Sequence, residues 1–522
     1  MFKQLTQRII KGRTDWQFIA ISDLGSNTAR LVILRSIPGY AYRLEDELRE
    51  VVRLREGMTD GRLSDAAMER GLSTLDLFKR FCGAVGVDMV IPTATSAVRD
   101  ATNGSEFVQR VEQEVGWKLR VLSGEREAHY GVIGALNEVP ITNGYVLDIG
   151  GGSAQLSEVR DGSYRRGDSV RLGALALTER FVKSDPPKSS ELKVLQSEIE
   201  KQLQTFTWAK PSEGWKLVGL GGTIRNLAKI ESKRQNYPLE NLHGFALTGK
   251  SVKESIDLFD ELPLKQRKSI PGLSDDRADI IGAGARVVAA FMDYLKVDEL
   301  TISENGLREG IFFEQFWRDQ PVPIADDVRR FSVLNMARIY QYQPDHAAHV
   351  RMLCQRLFAD LKTLHQYGPQ ELELLEAAAL LHDLGTIINY NDHHKHSQML
   401  IISSGLAGYT PRETAIISLL ARYHRKGTPS WEGFQSLMQD GDEILLTHLA
   451  AILRMAEFLE RGRSGIVSDI EAAWDDDSVT ITLLSDRTPA VELWDAERNA
   501  APLFETAFGR TVHLQLGHST QG

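Results

Sequence analysis

The sequence predicts a two-lobed α/β core followed by an all-α region and a small α+β tail, on three observations. Strands alternate with helices through the first 320 residues, the signature of layered α/β architecture. The turn Asp23-Leu24-Gly25-Ser26-Asn27-Thr28-Ala29 is echoed 125 residues later by Asp148-Ile149-Gly150-Gly151-Gly152-Ser153-Ala154, which points to duplicated halves with a cleft between them. From 326 to 463 almost every segment has helical periodicity.

Each element follows from its residues. In lobe I (1–140), 17–22 and 31–34 read as strands around a polar turn, and 64–86 has helical spacing. A buried strand at 89–91, a helix near 104–116 and a strand at 119–122 close that lobe. Lobe II (141–320) opens with a strand at 145–148 and turns through glycines into another. It continues with a strand at 216–219, a helix over 277–297, a strand at 299–303 and a helix ending near Phe316. Pro321 and Pro323 prevent a continuous helix and mark a linker. The helical domain (326–468) holds helices at 326–341, 344–366, 370–384, 395–405, 410–423 and 442–463. The tail (470–522) has a strand at 479–483, a helix near 495–507 and a strand at 511–514.

Composition excludes several classes. The chain has 522 residues, of which 42% are hydrophobic and 25% charged, so it is neither largely disordered nor fibrous. Its longest apolar run, 287–292, is far short of the roughly 20 residues of a membrane span. The opening MFKQLTQRIIKG lacks the apolar core of a secretory signal. Two cysteines, Cys82 and Cys354, supply neither a disulfide framework nor a cysteine metal site. A cytoplasmic location is therefore expected. Net charge is −10, which speaks against a general nucleic-acid binder but leaves room for a local basic channel that takes a polyanion.

A strand–Asp–x–Gly–polar hairpin can aim successive backbone amides into one concavity, where they grip phosphate oxygens without side-chain bulk. An Asp at the strand end can hold hydrated Mg²⁺. Two such hairpins in similar units point to phosphate handling. A third cluster, Gly219-Leu220-Gly221-Gly222-Thr223-Ile224-Arg225-Asn226, follows a strand and opens a helix, the geometry for an anion at a helix N-terminus.

In chain order, DLGSNTARLVIL, TATSAVRDATNG, LSGEREAHYGVIGA, VLDIGGGSAQLSEV, VGLGGTIRNLA and SENGLREGI resemble motifs of the exopolyphosphatase and guanosine pentaphosphate phosphohydrolase family. The resemblance spans residues 17–465 and implies an actin-like (ribonuclease H-like) ATPase core. It also implies a water attacking the terminal phosphoryl of inorganic polyphosphate with Mg²⁺ present; Mn²⁺ is the alternative cation and K⁺ a candidate activator. The family's catalytic base corresponds to Glu127, and its cleft arginine to Arg99, which would neutralise charge on the transferred phosphoryl. Asp23 and Asp148 are the candidate metal holders. Gly25, Ser26, Asn27, Gly150, Gly151, Gly152, Ser153, Gly222 and Thr223 are the candidate phosphate-binding residues. Two departures stand out: Arg126 replaces a family Glu and would add positive potential, and Gln155 replaces another Glu. Guanosine pentaphosphate is the alternative substrate, and a non-catalytic polyphosphate or nucleotide sensor the alternative of another class.

In the helical domain, Leu381-His382-Asp383-Leu384-Gly385 resembles the HD phosphohydrolase motif, with His349 upstream and Glu457 where an Asp is usual. The motif is expected to be vestigial. The long-form family implies polyphosphate-chain binding and a homodimer here instead. His394, Lys395, His396, Arg422, His424, Arg425 and Lys426 would form a cationic track.

Overall fold

A computed structural model describes residues 16–517, so the segment judged for a secretory signal lies outside the described residues. The chain divides into two compact units, one running to Tyr237 with Leu242–Val328, the other comprising Pro238–Asn241 and everything from Arg329 on.

The first unit contains two sheets. Strands β1 (Gln17–Leu24), β2 (Thr28–Ile37), β3 (Ala41–Val51), β4 (Met89–Ala94) and β5 (Arg120–Val121) lie in the order β3-β2-β1-β4-β5. Strands β6 (Gly144–Ile149), β7 (Ala154–Arg160), β8 (Ser163–Val170), β9 (Lys216–Leu220), β10 (Ala246–Thr248) and β11 (Glu299–Ile302) lie in the order β10-β11-β9-β6-β7-β8. With β10 set aside, the sheets share one topology. An antiparallel meander (β1-β2-β3 or β6-β7-β8) is extended on the far side of its first strand by two parallel strands. Central strands covered on both faces read as apolar runs, which is why β1 and β6 were legible. The charged strands β3 and β8 were not expected from the sequence.

Helices follow from local chemistry. Helix α1 (Asp65–Val85) starts where the Ser64 side chain accepts from Ala67 N and stops at left-handed Gly86, and it buries Met68, Leu72, Leu75 and Phe78 on one face. Helix α2 (Ser96–Arg99) is a single turn after β4. Helix α3 (Gly124–Leu136) is capped by Ser123, α4 (Gly221–Arg234) springs from β9, and α5 (Ile281–Leu295) is apolar nearly all round and buried. Helix α6 (Leu307–Phe316) packs Phe312, Phe313 and Phe316 about Tyr42 at ring separations of 5.2–5.4 Å.

In the second unit, helices α7 (Pro344–Asp360), α8 (Pro369–Leu381), α9 (His393–Ser404), α10 (Pro411–Tyr423) and α11 (Asp442–Leu459) enclose a core that includes Leu353, Leu357, Leu420 and Leu453. Strands β12 (Asp469–Trp474), β13 (Ser478–Leu484) and β14 (Thr511–Gly517) form a third sheet. Strands β13 and β14 are parallel, and a parallel pair needs a crossover, here the helices Ala490–Asn499 and Ala501–Phe508. Ile470, Val479, Ile481, Leu483 and Phe504 belong to the same core as the helices, so the tail expected as a separate region is built into the helical unit. Among the described residues no helix is long and apolar enough to cross a membrane.

Candidate active site

The two hairpins are closed in the same way. Gly25 N donates to Thr28 O at 3.1 Å and Gly150 N to Ser153 O at 2.9 Å. Asp23 lies opposite Arg30 across β1–β2, as Asp148 lies opposite Gln155 across β6–β7. The closure corrects two expectations. The amides of Gly25 and Gly150 are consumed by the turns and cannot grip phosphate, whereas those of Ser26, Asn27, Gly151 and Gly152 have no main-chain partner among the described residues. Nor do these glycines serve a left-handed backbone. They serve close approach: a Cβ on Gly152 would lie 2.5 Å from Ser96 Oγ and 2.6 Å from Ser26 Oγ, and one on Gly151 would lie 3.1 Å from Asn27 Cβ. The hairpins therefore face each other at contact distance across the two lobes.

A cavity of about 120 Å³ lies between them. Its wall brings together Asp23, Gly25, Ser26, Asn27, Glu127, Asp148, Gly150, Gly151, Gly152 and Gly222 from the expected set. Gly221, at φ +89°, turns β9 into α4 where a Cβ would lie 2.6 Å from Asp148 Oδ1, so this glycine is required on both counts. Ser153 and Thr223 are buried but not on the wall: Ser153 Oγ accepts from Gln155 Nε2 at 2.8 Å, and Thr223 Oγ1 has no partner among the described residues. Arg126 does not face the cavity either. It donates to the Tyr130 hydroxyl at 2.8 Å and lies 3.6 Å from Glu314, so the added potential expected from it is spent elsewhere.

Glu127 stands in the first turn of α3. Burial pushes its carboxyl from an ordinary 4.5 up to about 7, against the pull of Arg99, while Asp23 and Asp148 reinforce the rise. Arg99 is absent from the cavity wall. Its guanidinium pairs with Glu127, donates to Leu122 O at 2.9 Å and reaches Asp100 at 3.3 Å, so it orients the carboxylate.

The remaining charges were missed as site residues. Arg30, Arg225, Arg277, Arg308 and Glu309 all line the cavity. Burial, with Arg308 and Arg225 as neighbours, lowers Arg30 to about 9, and burial lowers Arg277 to about 10. Arg277 Nη1 and Arg308 Nε are buried with no hydrogen-bond partner among the described residues. Guanidinium groups crowded in this way, with donors unused, call for an anion. The signal was present: Arg30, Arg225 and Arg308 sit inside three of the motifs read from the sequence.

Burial raises Asp23 to about 6 against Arg308 and Arg30, and burial raises Asp148 as well. Asp23 Oδ1 is buried without a partner among the described residues. A pair of buried carboxylates with an unused oxygen fits a hard divalent cation. A second cavity of about 400 Å³ shares Arg30, Gly222, Arg225, Arg277, Arg308 and Glu309 with the first. Its wall adds Arg49 and Lys229, carries Val32, Leu44 and Leu242, and contains no aromatic side chain among the described residues.

In the helical unit, two members of the expected cationic track are buried. Burial pushes His394 down to about 4 and His424 to about 3, so neither offers charge to a polyanion near neutral pH. Lys395 and Lys426 are exposed and both reach Asp392, at 3.1 and 3.5 Å; Arg425 lies over the Tyr390 ring at 5.2 Å. Arg422 and His396 are partly buried. His382, Asp383 and Glu457 converge as expected, but His349 does not join them: its Nε2 bonds Val467 O at 2.8 Å. His346, one turn earlier on α7, takes that place, 3.2 Å from Glu457 Oε2.

Comparison with known proteins finds a family and solved structures similar to this chain. Residues 32–318 match the Ppx/GppA phosphatase family, and residues 328–493 match domain III of the Ppx/GppA phosphatases. The crystal structure of the Aquifex aeolicus member of the Ppx/GppA family is similar at 31% identity and TM-score 0.51, covering 58% of this chain and 99% of that one. A crystal structure of an exopolyphosphatase from Cytophaga hutchinsonii is similar at 25% identity and TM-score 0.53, covering 57% of this chain and 98% of that one.

Proposed function

Since the chain belongs to the Ppx/GppA phosphatase family, we propose that its interlobe cleft hydrolyses the terminal phosphoanhydride of inorganic polyphosphate, releasing orthophosphate one unit at a time. One observation carries this reading. A buried carboxylate poised near neutrality, Glu127, faces two hairpins whose free amides and surrounding guanidinium groups form an anion cradle.

Glu127 accepts a proton from water as the water oxygen attacks the terminal phosphorus. The bond to the bridging oxygen breaks, and the shortened chain leaves with that oxygen. Amides of Ser26, Asn27, Gly151 and Gly152 hold the terminal phosphate in line, and Arg225, Arg277 and Arg308 offset the charge that develops. Arg99 keeps the Glu127 carboxylate oriented without touching the phosphate. Asp23 and Asp148 would hold Mg²⁺, or Mn²⁺ through the same oxygen donors, and the bound cation would neutralise phosphate oxygens.

The second cavity favours the polymer over guanosine pentaphosphate. Six cationic side chains against three carboxylates suit further phosphate units, while a guanine base would find no aromatic side chain to stack on. Orthophosphate release should be measured from long and short polyphosphate, guanosine pentaphosphate and ATP with Mg²⁺. Long polyphosphate is expected to have the highest kcat/KM. A clear preference for pentaphosphate would reverse the ranking. Binding of polymer with no release in Mg²⁺, Mn²⁺ or added K⁺ would make the protein a sensor.

A further inference from the structure

We propose that the helical unit contains a second metal centre, a nitrogen-rich site for a divalent first-row transition ion built from His346, His382, Asp383, His393, His424 and Glu457. It does not depend on the cleft chemistry, and it reverses the expectation of a vestigial motif.

The argument begins with protons. His382 Nδ1 lies 2.8 Å from Ala379 O, His393 Nδ1 lies 2.8 Å from Tyr390 O, and His424 Nδ1 lies 2.7 Å from Ala421 O. A carbonyl oxygen only accepts, so each Nδ1 carries a proton and each Nε2 is the ring atom left to face the cluster. All three Nε2 atoms point inward. His393 Nε2 and His424 Nε2 are 3.1 Å apart. His382 Nε2 is 3.1 Å and His346 Nε2 is 3.2 Å from Glu457 Oε2, and His393 Nε2 is 3.2 Å from Asp383 Oδ1. Nitrogen and carboxylate donors at these distances need positive charge among them, which ring protons or one bound metal ion would supply.

Several polar atoms of the cluster are buried and unused. His382 Nε2, both ring nitrogens of His346, Asp383 Oδ1 and Glu457 Oε2 are buried without a hydrogen-bond partner among the described residues. Arg463 Nη2 holds Asp383 Oδ2 at 2.5 Å, which leaves Oδ1 directed at the histidines. Donors bound to one ion at about 2.0–2.2 Å sit roughly 2.8–3.5 Å from each other, the range of the four pairs just given, while His382 Nε2 and His424 Nε2 each lie 3.8 Å from Asp383 Oδ1. His346–His382–Glu457 and His382–Asp383–His424 each bring their donor atoms within 4.8 Å of one another.

Imidazole-rich donors with carboxylates suit Zn²⁺, Mn²⁺, Fe²⁺ or Ni²⁺ rather than Mg²⁺. The three backbone-bonded Nδ1 atoms form the outer shell that fixes tautomer and ring orientation at metal sites. The donors come from α7, α9 and α11 and from the residues just after α8 and α10, so one ion would tie five helices together.

The test uses full-length, tag-free protein loaded with Zn²⁺ and dialysed against excess Mg²⁺. Retained zinc is counted by elemental analysis, and Co²⁺ substitution is read by visible absorption. At least one zinc per chain should survive dialysis in the wild type and equally in Asp148→Asn, which disables the cleft's cation holder. His382→Gln and His424→Gln should each weaken zinc binding by roughly 100-fold or more and abolish the cobalt spectrum of nitrogen ligation. Zinc should also raise the thermal midpoint of Asp148→Asn. No stoichiometric zinc in the wild type, zinc lost in Asp148→Asn, or zinc unchanged in both histidine variants would each overturn the proposal. The first two outcomes need no histidine variant to fold.

Discussion

Replacing Glu127 by Gln isolates the base, because the swap preserves shape and removes only the ability to take a proton. The wild-type carboxyl titrates at about 7 in the ligand-free protein, and kcat/KM reports ionisations of the free enzyme. The ionised fraction at pH 5 is about one in a hundred and at pH 7 about one half, so kcat/KM should rise about 50-fold between them and level off above. Glu127→Gln should lower kcat by roughly 10²- to 10⁴-fold, keep polyphosphate affinity, and lose this limb. Asp23 titrates lower, at about 6, so any limb remaining in the variant is displaced to lower pH. The same shift has a stability consequence of opposite sign. A carboxyl whose folded pKa is raised from 4.5 to about 7 favours the folded state at low pH, and that contribution is lost as pH rises through 7. The difference is about 3 kcal/mol at 1.36 kcal/mol per pKa unit, so the Gln variant should be more stable than wild type by about that amount at pH 8. Orthophosphate release across pH 5–9 and denaturant unfolding at pH 8 check both. A variant that retains the limb near pH 7, or loses polymer affinity as much as rate, would refute the assignment of Glu127 as base.

Three further perturbations probe the rest of the cleft. Arg99→Met removes the cation that opposes the rise in Glu127, so the acid limb of kcat/KM should move at least about one unit to higher pH; an unmoved limb would deny Arg99 its positioning role. Asp148→Asn should reduce kcat/KM by roughly 100-fold or more and raise the Mg²⁺ concentration needed for half-activation, as read by a Mg²⁺ titration of phosphate release. Gly222→Ala places a methyl group on the Arg277 guanidinium and should raise KM for polyphosphate about tenfold with a smaller change in kcat, the equivalent of one charge-assisted hydrogen bond.

Much of the fold was legible where burial imposes a pattern. The apolar runs of β1 and β6 and the glycine turns after them are local features with local causes. Strand β3, AYRLEDELREV, was not legible, because an exposed edge strand carries charge on both sides and has no period to read. Strand β8 failed for the same reason. In the cleft, Asp23, Asp148 and Glu127 were readable as motif residues, but Arg277 was not. Nothing in its neighbourhood along the chain distinguishes it from a surface arginine.

The sequence by itself determined that two equivalent hairpins exist and which carboxylates they carry, since each depends on residues a few positions apart. Only the tertiary structure decided that Gly25 and Gly150 amides are spent inside their turns and that Arg99 grips Glu127 rather than the cavity. It also decided that His346 rather than His349 joins His382 and Glu457. Those choices turn on which groups meet across elements far apart in the chain and on which of them lose water in doing so. Desolvation and convergence are properties of the packed interior, with no counterpart in the linear order of residues.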